Sequence, residues 1–214
     1  MRKTIVKKVK QDFSAVSFGQ IRKYRLLILE FFSTVITYLI LKLKKVNIGS
    51  SCKFYGIPVF TRSFLGKIII GDNCAFRSDK TSNLIGLNRK CIIATFGNES
   101  LIEIGNSSRF SGTVIGAKEK IIIGNNVLCG ANVLITDFDW HPIDPNYRHT
   151  SFGVKSAPVI IEDNVWLGIN SVILKGVKIG ENSVIGANSL VVKDIPSNVI
   201  AGGNPCKIIK KIEV

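Results

Sequence analysis

Histidine, methionine, acidic residues and paired cysteines are all scarce in this chain of 214 residues. With only two histidines, His141 and His149, one chain has too few to build a three-histidine metal site, and no metal is expected. The five cysteines (Cys52, Cys74, Cys91, Cys129, Cys206) are odd in number and form no C-x-x-C pair, which excludes a disulfide framework and a zinc ribbon. Reduced thiols in a cytosol-facing compartment follow from that usage. The start makes a poor secretory signal, because the apolar run begins late and no small-residue cleavage site follows it. Charged residues are only 21% against 46% hydrophobic, so the chain is not disordered. A single methionine beside nineteen glycines argues against a helical protein and for turns and strands. The length suits one domain with an appendage, enough to bury a core without staples.

Acids are outnumbered 15 to 29, a net charge of +14, which implies a polyanion, an anionic membrane or a phosphorylated ligand as partner. The excess is uneven: residues 1–46 hold eleven basic residues against Asp12 and Glu30, a net of +9, and the remainder carries +5. A helix is predicted from Gln20 to about Lys45, apolar nearly all round over Leu26–Leu41. Those 16 residues reach about 24 Å, short of the roughly 30 Å hydrocarbon core. Arg22, Lys23 and Arg25 precede the run, and Lys42, Lys44 and Lys45 follow it. Three readings stand: a helix packed on the protein or its oligomer partners, a peripheral membrane helix at the inner face of the plasma membrane, and a true span. Nucleic acid is not expected as a partner, because no aromatic-interleaved or helix-turn-helix pattern accompanies the charge.

From Ile161 aliphatic residues recur every six positions: Ile161, Leu167, Ile173, Ile179, Ile185, Val191. Four positions after each stand Val165, Ser171, Val177, Ser183, Ser189 and Ile195. The phrase Ile-Gly followed by Asn, Asp or Ser also occurs at Ile48, Ile70, Ile104 and Ile123. A period of six is neither helical nor that of one long strand; it marks a parallel β-helix in which three short strands close a coil. Aliphatic residues then stack inward from coil to coil, and Gly, Asn and Asp take the tight corners. The chain therefore divides into residues 1–46 (N-terminal segment), 47–195 (β-helix) and 196–214 (cap). The stretches Lys53–Ser63 and Asp79–Lys90 do not scan in sixes, and Phe54, Phe60, Phe64 and Phe76 are expected to fill imperfect early coils.

From Ile135 to Ile161 is a step of 26 residues, read as one 18-residue coil and about eight more, so a loop is expected to protrude at about 137–156. Both histidines lie in it. Solenoids that spend residues on an external loop usually do so for function. His141 is the strong candidate for a general base, with Asp137 and Asp139 as candidates to orient its ring; His149 is solvent-facing or a substrate contact. No serine or cysteine has a nucleophile-elbow context, so no covalent intermediate is indicated.

These residues resemble the hexapeptide-repeat acyltransferases, especially maltose/galactoside-type and polysaccharide O-acetyltransferases. The resemblance runs from about Ile102 to Ile212. It rests on Ile123–Val127, Trp140–Ile143, Ile161–Gly168, Ile185–Val191 and Lys193–Pro196 with Ala201–Lys207. It implies a left-handed coil, a homotrimer, and acetyl-CoA bound between neighbouring solenoids. His141 would then deprotonate a sugar hydroxyl that attacks the thioester directly. It further implies an oxyanion donor at the backbone of Gly168 and Ile169, and Trp166 along the pantetheine arm with close approach allowed at Gly168 and Ala187. Lys193, Lys207 and Lys210 would meet the nucleotide phosphates. Where relatives of this type place an acceptor-holding Asn, this chain has Ser111-Gly112. Serine or another small molecule as acceptor, and a non-catalytic scaffold recruited to membrane, are the alternatives.

Overall fold

The computed structural model describes residues 13–213. Arg2, Lys3, Lys7, Lys8 and Lys10 of the basic N-terminal segment therefore lie outside the described residues. Among the described residues the first element is a helix, α1 (Phe13–Leu43). It begins seven residues before the predicted Gln20, because Gly19 sits inside it; a single exposed glycine costs a helix only about 1 kcal/mol relative to alanine.

Short strands then follow in threes. The first coil is β1 (Asn47–Ile48), β2 (Lys53–Tyr55) and β3 (Val59–Thr61), and the second is β4 (Lys67–Ile70), β5 (Ala75–Arg77) and β6 (Ile92–Thr95). The third is β7 (Leu101–Ile104), β8 (Arg109–Ser111) and β9 (Val114–Ala117). The fourth is β10 (Lys120–Ile123), β11 (Leu128–Ala131) and β12 (Leu134–Thr136). The fifth is β13 (Val159–Ile161), β14 (Trp166–Leu167) and β15 (Val172–Ile173). The sixth is β16 (Lys178–Ile179), β17 (Val184–Ile185) and β18 (Leu190–Val191), after which β19 (Val199–Gly202) and β20 (Lys207–Lys211) close the end. From β1 to β18 each strand pairs in parallel with its counterpart three strands on, giving the three flat faces of a left-handed β-helix; β17 then pairs in parallel with β19, and among these strands only β19 and β20 pair antiparallel.

The periodic residues form the core: Ile161, Leu167, Ile173, Ile179, Ile185 and Val191 are fully buried. Phe54, Phe76 and Phe110 stack face to face through the first three coils, with centroids 5.2 and 4.9 Å apart. Phe64 is a correction: it is 74% exposed on the turn after β3 rather than a core filler. Lys53–Ser63 holds two ordinary strands, and only residues 79–90 are an insertion, between β5 and β6.

Corners carry their own ladder. Asn126, Asn164, Asn182 and Asn198 are left-handed (φ 57, 59, 59 and 58°), a conformation asparagine tolerates well among side-chain-bearing residues. Each passes an amide hydrogen bond to the next, at 3.2, 3.0 and 2.9 Å.

Helix α1 lies lengthwise over the first coil with its polar stripe inward. Ser33 Oγ and Thr34 Oγ1 accept from the backbone N–H groups of Gly56 and Phe54, both at 3.1 Å. The Tyr38 hydroxyl donates to the Gly49 carbonyl at 2.9 Å and accepts from Cys52 N at 3.1 Å. Glu30 pairs with Lys53 at 3.4 Å. These contacts satisfy backbone groups that the first coil would otherwise leave unpaired at the end of the solenoid.

Candidate active site

The protruding loop leaves the fourth coil after β12 and returns at β13, the first strand of the fifth. No further coil lies between Ile135 and Ile161, which corrects the expectation of a full coil with about eight extra residues, because the loop itself takes all but one six-residue step of that interval. Its neck is a two-stranded stem: Phe138 bridges Ser156, Asp139 N donates to the Lys155 carbonyl at 3.0 Å, and Ala157 N donates to the Asp137 carbonyl at 2.8 Å. Lys118 Nζ reaches across to the Val154 carbonyl at 2.9 Å. Phe138 and Trp140 join Phe96 in one aromatic cluster with centroids 4.7–5.3 Å apart, seated on Gly116. A Cβ at Gly116 would come within 3.3 Å of the Trp140 ring, so that glycine makes room for the platform. Neither Phe96 nor Gly116 signalled this in the sequence, because they stand two coils and one coil before the loop in the stack and outside its motif.

His141 follows Trp140 and is exposed. Its Nδ1 lies 3.1 Å from the Arg148 carbonyl oxygen, across the loop. A carbonyl only accepts, so the proton sits on Nδ1 and the Nε2 lone pair is left free. The ring is thus oriented by a loop carbonyl, which corrects the expectation that Asp137 or Asp139 would orient it. Asp137 is fully buried and accepts the backbone N–H groups of Lys118, Glu119 and Lys120 at 2.7, 2.9 and 2.6 Å. Burial pushes its carboxyl upward from the usual carboxylate range, against those three bonds. Asp139 pairs with Lys175 at 2.5 Å, and its second oxygen is buried without a partner. Both aspartates therefore hold the loop to the solenoid. His149 is exposed on the same loop.

The residues expected around the acyl donor fall into two groups. Trp166 stands outward on β14, 53% exposed and in register with Leu128 on the coil before and Val184 on the coil after. Gly168 and Ile169 turn the corner directly after it, and Ala187 stacks one coil on. The bare side of Gly168 faces that next coil rather than outward: a Cβ there would meet Ala187 N at 2.6 Å. This corrects the expectation that Gly168 allows close approach of a ligand. Its N–H is also committed, to the Ile185 carbonyl at 2.7 Å, whereas the Ile169 N–H makes no backbone hydrogen bond among the described residues. The three lysines form the second group. Lys207 and Lys210 are exposed on β20, at the end of the sheet that contains Trp166, and Lys193 is exposed just after β18. Ser111 is buried and accepts from Asn83 Nδ2 at 3.3 Å. Among the described residues no three His, Cys, Asp or Glu side chains converge as a metal site would require.

The model of the bacterial transferase hexapeptide (six repeats) matches residues 158–193. The chain is 41% identical over 143 residues to a galactoside O-acetyltransferase of Lactococcus lactis, covering 67% of this chain and 62% of that protein. It is 42% identical over 119 residues to the galactoside O-acetyltransferase of Escherichia coli, covering 55% and 57%. The chain thus spans about three fifths of the length of these curated relatives. A solved variant of AntD, an N-acyltransferase from Bacillus cereus in complex with dTDP and coenzyme A, superposes with a TM-score of 0.60. Identity is 18%, over 82% of this chain and 89% of that one, a likeness of fold.

Proposed function

We propose that this chain, a member of the hexapeptide-repeat family, is an acetyl-CoA-dependent O-acetyltransferase acting on a sugar hydroxyl of a surface polysaccharide or its precursor. The observation that carries the reading is the 3.1 Å contact of His141 Nδ1 with the Arg148 carbonyl on an exposed ring; because a carbonyl only accepts, it assigns the proton to Nδ1 and leaves Nε2 as the basic nitrogen. That is the form a general base requires. The likeness to the two galactoside O-acetyltransferases supports the acyl donor and the saccharide class of acceptor.

In this mechanism Nε2 takes the proton of the acceptor hydroxyl as its oxygen attacks the thioester carbonyl. The tetrahedral oxyanion is met by the Ile169 N–H, the corner donor left free when Gly168 N–H bonds the next coil. Collapse breaks the C–S bond, and the imidazolium returns its proton to the departing thiolate, giving CoA thiol and the acetyl ester. The Arg148 carbonyl stabilises the charged ring meanwhile. General-base assistance of this kind is worth about 10²–10⁴-fold. Trp166 supplies a flat apolar wall for the pantetheine arm, and Lys193, Lys207 and Lys210 act as point charges for the phosphates.

A convex solenoid offers His141 only one wall. The second wall is proposed to come from another copy of the chain in a homotrimer, with the outward Leu128 and Trp166, adjacent in register, at the seam.

Thiol release from acetyl-CoA, measured over a panel of saccharides with serine included, tests the reading. Release with a saccharide but not with serine, and a product heavier by one acetyl group, is the expected result. No release above hydrolysis, together with no CoA-dependent rise in melting temperature, would reject the enzyme and leave a scaffold. Release with serine alone would reject the sugar.

A further inference from the structure

Helix α1 carries its amphipathicity reversed. The polar stripe of Glu30, Ser33, Thr34 and Tyr38 is spent on the first coil, while Phe18, Ile21, Ile28, Phe31, Phe32 and Leu39 face outward, each more than half exposed. The tie to the solenoid extends along its length. Near the start, Arg22 donates to the Thr81 carbonyl at 3.3 Å; past the end, Arg62 donates to the Lys44 carbonyl at 3.1 Å. The two loops so tied carry exposed apolar pairs of their own, Leu84-Ile85 and Phe64-Leu65.

We propose that this face lies in the headgroup plane of an anionic bilayer, with α1 parallel to the surface and the solenoid in water. By length and composition Ser17–Leu43 is able to cross a membrane: 27 residues reach about 40 Å. Crossing, however, would strip the inward stripe from the first coil and leave the N–H groups of Cys52, Phe54 and Gly56 without their acceptors. Lying flat keeps every one of those bonds and still buries the outer face.

Charge selects lipid over a second copy of the helix. Cations stand at both ends, Arg22, Lys23 and Arg25 before the apolar run and Lys42, Lys44 and Lys45 after it; of these Arg25 is paired with Asp79 of the solenoid at 4.0 Å, and the one acid between them, Glu30, is taken by Lys53. Two such helices packed face to face bring like charges together in either direction; anionic headgroups neutralise them. Beside the helix runs a largely apolar groove of about 740 Å³ lined by Val35, Tyr38, Leu39, Val46 and Ile48, with Thr34, Lys42 and Asn47 as its polar lining.

The test uses the full chain with vesicles of phosphatidylcholine and phosphatidylglycerol (3:1) and with phosphatidylcholine alone. Sedimentation with the anionic vesicles, and at least tenfold weaker binding by Ile28→Ser/Phe32→Ser at unchanged melting temperature and size in solution, is the expected result. Equal binding to both vesicle types, no binding to either, or a double variant that changes size in solution while vesicle binding persists, would overturn the proposal. The last of these outcomes would assign the face to contact between copies. Depth is read separately: Phe18→Trp, Ile28→Trp and Leu39→Trp should be quenched by brominated lipid at one shallow depth. A deep Ile28→Trp between two shallow neighbours would mean a span and would also overturn it.

Discussion

The Nδ1 of His141 and the carbonyl oxygen of Arg148 lie 3.1 Å apart, seven residues along one loop, and this contact sets which ring nitrogen is basic. A carboxylate partner would have stabilised the imidazolium more strongly; a carbonyl orients the ring and fixes the tautomer at less electrostatic strength. Replacing His141 with Ala is expected to lower turnover at least a hundredfold, with CoA binding, oligomer size and melting temperature unchanged, because the side chain is exposed and its one hydrogen bond is to the loop itself. Steady-state thiol release and a CoA-dependent melting shift check both halves. Turnover that survives the substitution would remove His141 from the mechanism.

Asp137 makes the contrasting case. Its carboxylate takes three backbone N–H groups in a fully buried position, and an asparagine there retains one acceptor oxygen, leaving at least one donor unpaired. Asp137→Asn is expected to cost about 1–3 kcal/mol, read as a fall in melting temperature of about 2–4 °C per kcal/mol. A variant with wild-type melting and a large loss of turnover would show instead that Asp137 acts on His141.

These two residues also mark where sequence reading stops. Six-residue spacing identifies every buried aliphatic from Ile161 to Val191, because a solenoid repeats one environment and the pattern has no competing period. The break in that spacing locates the loop for the same reason. What holds His141 is a main-chain carbonyl, which no residue type announces, and two nearby aspartates were the natural but wrong partners. Early coils were harder to read because residues 79–90 are inserted between β5 and β6 and shift the phase. Helix α1 runs through Gly19 because an exposed glycine is tolerated where tertiary contacts hold the rest of the helix.

Gly168 and Gly186 occupy equivalent corners, one coil apart, yet differ in what lies behind them. A Cβ on Gly168 would sit 2.6 Å from Ala187 N and 2.7 Å from the Gly186 carbonyl carbon, all backbone and unable to move away cheaply. On Gly186 the nearest atom is the Ala201 carbonyl oxygen at 3.5 Å, an ordinary contact. Gly168→Ala is therefore expected to destabilise by about 1–3 kcal/mol through overpacking. Gly186→Ala is expected to be neutral or slightly stabilising, since it restricts the unfolded chain without strain. Thermal melts of the two variants side by side decide it; equal effects would mean that the coils separate freely at this corner.

Asn182 combines two demands that separate substitutions take apart. Its φ of 59° lies in the left-handed region, and its side chain links Asn164 and Asn198 at 3.0 and 2.9 Å. Glycine meets the backbone demand and loses both hydrogen bonds, whereas alanine loses the bonds and adds a left-handed penalty of about 1–2 kcal/mol. Each lost bond is worth about 0.5–1.5 kcal/mol net. Melting temperatures should therefore fall in the order wild type, Asn182→Gly, Asn182→Ala, and the gap between the two variants measures the corner strain alone. If glycine and alanine melt together, the ladder of amides rather than the left-handed corner is what asparagine supplies, and the recurrence of Asn at these corners is explained by hydrogen bonding between coils.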